Sequence, residues 1–113
     1  MSDFINGQKL KAEAVRSIAF GSLSGTYADI GSVTANPARI IMVKNATDSD
    51  VTVSWDDGTT DVFFLPAGSQ DTIDVVANGG PNGAFLEVGS QFQAKTAGSP
   101  TSGSVVVQLF YVE

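Results

Sequence analysis

Between Phe20 and Glu113 no stretch keeps a 3.6-residue apolar period. What recurs instead is a period of two, which places alternate side chains on opposite faces of a strand and rules out a helical bundle. Arg39-Ile40-Ile41-Met42-Val43-Lys44 is apolar on both faces and bounded by charge, the pattern of a central strand covered on both sides. After the turn residues Asn45 to Asp50, Val51, Val53 and Trp55 alternate with Thr52 and Ser54. One face suits a core and the other suits water. We read the two runs as a hairpin at the centre of the domain.

The same period marks the rest of the chain. Val15 to Phe20 and Thr26 to Ile30 form a first pair of runs, stopped by Gly31, Ser32 and the Asn36-Pro37 step. Asp61 to Leu65, Asp71 to Val76, Ala84 to Val88 and Phe92 to Thr96 follow, separated by Pro66-Ala67-Gly68, the breaker-rich stretch Ala77 to Gly83, and Gly89-Ser90. Ser104 to Val112 is the longest run, with Val105, Val107, Leu109 and Tyr111 on one face. Short strands with turn signals every ~8–12 residues predict an all-β fold, a single β-sandwich of about eight strands over residues 15–113. Jelly-roll and immunoglobulin-like orders both fit, because periodicity reports a strand's face and not its neighbour. Residues 1–14 show neither period and read as an N-terminal arm.

Chemistry is sparse. The chain has no histidine and no cysteine, which excludes Ser-His-Asp and Cys-His nucleophile systems, the common zinc sites and disulfides. Pairs such as Asp56 or Asp57 with Asp71 or Asp74 fall at turns or polar strand positions and read as solvated carboxylates rather than as a glycosidase pair. Asp48-Ser49-Asp50 and Asp56-Asp57-Gly58 offer oxygen ligands but lack the twelve-residue calcium loop and its closing glutamate. Gly79 to Gly83 is followed by no lysine or helix start, so it is no phosphate cradle. We expect no catalytic residue, no metal and no cofactor. No apolar run approaches the ~20 residues of a membrane span, and Met1 to Lys11 has no apolar centre or small-residue cleavage site of a secretory signal.

Charge is split unevenly along the chain. Residues 1–44 carry five basic and three acidic side chains, a net +2, whereas residues 45–113 carry only Lys95 against nine carboxylates, a net −8. Six scattered basic residues make no phosphate-tracking patch, which argues against nucleic-acid binding. The acidic groups read first as loop residues that keep a sandwich soluble, and the sharper reading is copies docking head to tail, basic segment onto acidic face. The arm brings Phe4, Ile5 and Leu10 with Lys9 and Lys11, apolar and basic side chains that need another surface. Phe63 and Phe64 are adjacent, so one faces the core and the other faces outward, where it needs cover. Phe4, Ile5, Lys9, Leu10, Lys11, Phe63 and Phe64 are therefore the candidate interface residues. Trp55, Phe85, Phe92, Phe110 and Tyr111 lie in apolar runs and read as core.

Several blocks, taken in order, resemble small virion structural proteins of tailed bacteriophages. They are Val15 to Phe20, Gly25-Thr26-Tyr27, Pro37 to Ile41, Lys44 to Asp48, Val53 to Gly58, Phe64 to Ser69, and Gly103 to Val107 leading to Phe110-Tyr111. The resemblance spans residues 15–113. It implies a particle component made in the host cytoplasm and located in the virion, such as a capsid decoration (cement) protein or a part of the head-to-tail or collar region. Its partners would be itself, as a homo-oligomer, and neighbouring virion proteins, with no nucleic acid or membrane among them. The alternative is a carbohydrate- or receptor-binding β-sandwich of a phage tail, marked by an exposed aromatic grouped with aspartates at one loop end.

If the carboxylate-rich turns hold no structural metal, EDTA leaves the melting temperature unchanged in a thermal scan. A large drop restored by calcium would assign a site to Asp48 through Asp61.

Overall fold

The computed structural model describes residues 10–74 and 86–112. These form nine strands: β1 (Leu10–Ala12), β2 (Arg16–Ala19), β3 (Ala28–Asp29), β4 (Ala38–Asn45), β5 (Val51–Ser54), β6 (Phe63–Leu65), β7 (Gln70–Asp74), β8 (Gln93–Lys95) and β9 (Ser104–Val112), with one 3-10 turn at Phe20–Ser22. Among the described residues no helix is long and apolar enough to cross a membrane.

All strand pairs are antiparallel and lie in two sheets. One is ordered β1-β9-β4-β7, with β2 beside β1 on the same edge of β9, and the other β3-β8-β5-β6. The pairs β5·β6, β4·β7, β3·β8 and β2·β9 are nested about the β5–β6 connection. Successive rungs of that long hairpin fall alternately in the two sheets, and β4·β9 and β5·β8 join them. This is the eight-stranded jelly roll, with β1 added at one edge.

The topology corrects two expectations. Arg39 to Trp55 is no hairpin: β4 and β5 lie in different sheets, and residues 46–50 carry the chain across. Thr26 to Ile30 contributes β3, which pairs with β8 and not with β2. Ala84 to Val88 enters the described residues at Leu86, which makes an isolated bridge to Ala38. The loop expected over Ala77 to Gly83 lies outside them.

Alternation decides the core. Ile41 and Val43 of β4, Val51 and Val53 of β5, and Val105, Val107 and Leu109 of β9 are buried with Ile30 and Phe92, each contributing roughly 1.5–3 kcal/mol by leaving water. On the outer side of the first sheet Ile40, Met42, Val106 and Phe110 are half-buried, so cover over β4 is complete on one face only. Phe63 is core at 4% exposure, while Trp55 and Tyr111 are half-buried. Trp55 meets Phe63 and Phe92 edge-on, with ring centroids 5.8 and 6.5 Å away.

Two polar knots hold the ends of the sandwich. At the first, Asn45 is fully buried and its side-chain amide donates to Ser49 O (2.7 Å) and Leu65 O (2.9 Å). Its oxygen accepts from Thr47 N (3.0 Å) and Thr47 Oγ1 (2.6 Å). Gly103, at φ +89°, lies against the same turn, where a Cβ would stand 2.0 Å from Ala46 O. At the other end Arg16, turned inward on β2, pairs with Glu13 at 2.6 Å and donates to Ser32 O and Val33 O. Glu13 also accepts from Asn36 N (2.8 Å) and Asn36 Nδ2 (3.1 Å). Burial pushes the Glu13 carboxyl up, but Arg16, Asn36 and the Ala35 amide outweigh it and hold the pKa below the ordinary glutamate value.

Three outcomes follow for unfolding experiments. Asn45→Ala takes the side-chain partner from Leu65 O and Thr47 N, while Ser49 O and the Thr47 hydroxyl keep each other at 3.0 Å; at roughly 1–3 kcal/mol for each buried group left unmet, denaturant unfolding should show a loss of about 2–3 kcal/mol. Trp55→Ala should cost about 2–3 kcal/mol, less than the ~3–5 of a fully buried aromatic, because the ring is half in water. Because the Glu13 pKa is lowered by folding, its stabilisation is present above the ordinary value of ~4.3 and is lost as pH falls through the folded pKa. Unfolding free energy should therefore decline on acidification below about pH 5, and Glu13→Gln should flatten that decline.

Candidate interaction surfaces

Of the residues expected at an interface, Phe4, Ile5 and Lys9 lie outside the described residues. Leu10 and Lys11 are exposed on β1, which pairs in cis with β9 through Leu10↔Val112, Lys11↔Tyr111 and Ala12↔Phe110. The end of the arm segment is thus an edge strand of its own sandwich. Phe63 is the correction here: it points into the core and offers no surface to a partner. Phe64, one residue on, is 66% exposed on the outer face of the second sheet, opposite Thr52. Parity required that the two differ, and β6 pairing with β5 decides which is which.

Beside Phe64 the outer face of that sheet is occupied by the β5–β6 loop. Gly58, at φ +81°, lies so close that a Cβ would meet Gln93 Oε1 at 2.8 Å. Asp61 accepts a hydrogen bond from the Tyr27 hydroxyl and stands 3.5 Å from Lys95 Nζ, which in turn sits 4.6 Å from the Tyr27 ring centroid. Burial and the Asp61 carboxylate push the Tyr27 phenol well above its ordinary range. Asp61 itself is held low, by the Tyr27 hydroxyl first and by the Lys95 charge. These contacts clip the loop down and leave Phe64 as the large apolar side chain standing clear of it.

At the end of the sandwich where β4 begins, the Leu86–Gln91 segment, the residues after β3 and the start of the β5–β6 loop enclose a cleft of about 600 Å³. Trp55 and Leu86 supply apolar walls, and Val33 and Val88 stand at 47% and 51% exposure among the lining residues. Asp29, Asp56, Asp57 and Glu87 bring four exposed carboxylates, and among the described residues no lysine or arginine lines it. Ser54 Oγ (2.6 Å) and Thr60 N (2.9 Å) donate to Asp56 and hold its pKa down at about 2. Asp57 follows at φ +60°, in the left-handed region that Asp tolerates better than most residues.

The cleft was not legible as a site in the sequence, since its acids come from three separate turns. The half-buried Trp55 was the one signal, and its place in an apolar run pointed to the core instead. Trp55 with three aspartates at one loop end is the grouping that the carbohydrate-binding alternative required. The charge there is dense and uncompensated, however, which favours a cationic partner over a neutral sugar. Among the described residues no group of three or more acidic, histidine or cysteine side chains is placed to hold a metal ion.

No family model matches the chain, and no curated protein matches it in sequence. Among solved structures it is similar to a chain of the cyanophage Pam1 capsid asymmetric unit, with a TM-score of 0.55 and 15% identity over 99% of this chain and 90% of that one. It is also similar to a chain of the Bacillus endospore appendages, a family of disulfide-linked pili, with a TM-score of 0.47 and 13% identity over 98% and 96% of the two chains. At the identity of the capsid chain, the likeness is one of fold.

Proposed function

We propose that the protein is a non-enzymatic structural component of a tailed-phage virion. It binds copies of itself and neighbouring capsid or head-tail proteins, as a capsid decoration (cement) or collar protein. The observation that carries this reading is the jelly-roll order matched along nearly the whole chain by a capsid chain. The block resemblance to small phage virion proteins supports the same reading, in which the protein is made in the host cytoplasm and ends in the virion. The surfaces suit the role: an exposed Phe64, an outer face with half-buried Ile40, Met42, Val106 and Phe110, and the strand edges of β1 and β7. A rigid sandwich with such faces binds by apolar burial and strand addition rather than by chemistry.

The test is composition and reconstitution of particles. Mass spectrometry of gradient-purified virions should find the protein at a fixed stoichiometry, and image reconstruction should place it against capsid or head-tail subunits. Phe64→Ala should leave unfolding within about 0.5 kcal/mol, as surface changes usually do, while lowering particle occupancy. Absence of the protein from purified particles ends the reading.

A further inference from the structure

We propose that the cleft beside Trp55 binds an arginine flanked by apolar side chains on a neighbouring protein of a different kind, with the guanidinium against the indole and the carboxylates. This rests on the reading that the protein binds neighbouring virion proteins, and it names the chemistry that one of them brings.

The cleft is held ready for an occupant. Thr34, 1% exposed, spends its hydroxyl on the Leu86–Gln91 wall, donating to Glu87 O and accepting from Ser90 N, both at 3.0 Å. Its backbone pairs with Ser90 O and Gly89 N at the same distance. Ser54 and Thr60 fix Asp56, which bridges to Gln91. Walls set by hydrogen bonds in this way lose little freedom when a ligand enters. The volume of about 600 Å³ falls within the ~300–1,000 Å³ of small-ligand pockets and leaves room beside a guanidinium for its neighbours.

Charge requires a cation, and one from elsewhere. Asp29, Asp56, Asp57 and Glu87 line the cleft, and among the described residues no lysine or arginine joins them. Arg16, which donates to Val33 O, is paired with Glu13. Outside the described residues, 75–85 carry no charged side chain, and in 1–9 Asp3 offsets Lys9. A second copy is disfavoured by the net charge of −6 on each chain. Trp55 and Leu86, with Val33 and Val88 at 47% and 51% exposure, add an apolar surface that a bare metal ion or a polyamine would leave uncovered. Arginine answers both demands: its planar guanidinium stacks on an indole and meets a carboxylate through two parallel N–H groups, which the compact charge of lysine does not.

The experiment titrates the full chain by calorimetry and by the emission of Trp55, the sole tryptophan. The probe is a capped tripeptide with arginine between two leucines, and its control carries citrulline, an uncharged arginine of the same shape. The arginine peptide should bind and shift the emission, and the control should bind at least about tenfold more weakly. Added salt should weaken the first. Asp57→Asn combined with Glu87→Gln should lose at least about tenfold, the asparagine being tolerant of positive φ. Val33→Ser combined with Val88→Ser should erase the advantage of the tripeptide over capped arginine alone. No binding of the arginine peptide, equal binding of the control, or affinity that the carboxylate variant keeps overturns the proposal, as does a flank advantage that survives the two serines. Spermidine or calcium bound as tightly as the tripeptide assigns the cleft to a free cation and overturns it. So does a neutral oligosaccharide that shifts Trp55 and displaces the tripeptide. If Lys9→Gln tightens the tripeptide at least about tenfold, residues 1–9 compete for the cleft and the proposal falls as well. The virion reading is judged separately on particles: a chain that incorporates but binds no peptide loses only this inference, and one that binds the peptide but is absent from particles loses only that reading.

Discussion

A jelly roll requires the chain to leave one sheet for the other at each connection of the nested hairpin outside its β5–β6 tip, and Asn45 stands at one of the short crossings, between β4 and β5. Its amide answers one carbonyl of the β4–β5 loop and one at the end of β6, and its oxygen answers Thr47, so its side-chain polar atoms are met inside the core. A buried amide satisfied in this way admits one backbone path, because any other leaves groups unpaired where no water reaches. The consequences spread along that end. Asn45 N bonds Ser69 O and Ala46 N bonds Ser104 O, Thr96 Oγ1 bonds Asp50 O, and Thr101 N bonds Asp48. Three loops that are distant in sequence are thereby sewn together at the end where β4 meets β9.

That knot also explains which parts of the fold were legible. Strand positions and faces were open to reading, because alternation is local: β9 occupies the run expected of it, with Val105, Val107 and Leu109 inward. Partners were not, because β3 pairs with β8 as Ala28↔Ala94 and Asp29↔Gln93, far along the chain, through nesting that no local pattern encodes. The supposed hairpin over Arg39 to Trp55 failed for that reason. Asn45 looked like one more turn residue, yet the turn it makes changes sheets. The Glu13–Arg16 pair was visible only as charge; its meaning depends on Ser32, Val33 and Asn36, which the chain returns from the opposite side.

The two ends of the sandwich are built to different purposes. One is closed by hydrogen bonds between loops, with a glycine at Gly103 because backbone from Ala46 fills the space a side chain would need. The other gathers the start of β1, the ends of β7 and β9, and the cleft around a single bridge between Ala38 and Leu86. Its polar knot ties the β3–β4 connection to the chain before β2, which leaves the carboxylates at the cleft rim facing water. Each end thus has its own polar knot, and the cleft end adds exposed carboxylates on Asp29, Asp56, Asp57 and Glu87.

The exposed carboxylates bear on what the cleft end can bind. Asp48, Asp56 and Asp61 are each held below the ordinary carboxylate range by hydroxyl groups, of Thr101, Ser54 and Tyr27 respectively, so they stay charged well into acid. All three accept hydrogen bonds from near neighbours, Asp48 from Thr101, Asp56 from Ser54 and Thr60, and Asp61 from Tyr27, and Asp61 also stands beside a cation, Lys95. Asp56 lies in the cleft lining with Asp29, Asp57 and Glu87, where the described residues bring no cation to offset them. Four like charges held within one cleft repel one another and favour whatever neutralises them. The half-buried Trp55 adds an apolar face that rewards desolvation once a cation has arrived. Attraction at a distance and burial on contact therefore act at the same place, a combination that favours a ligand both cationic and apolar.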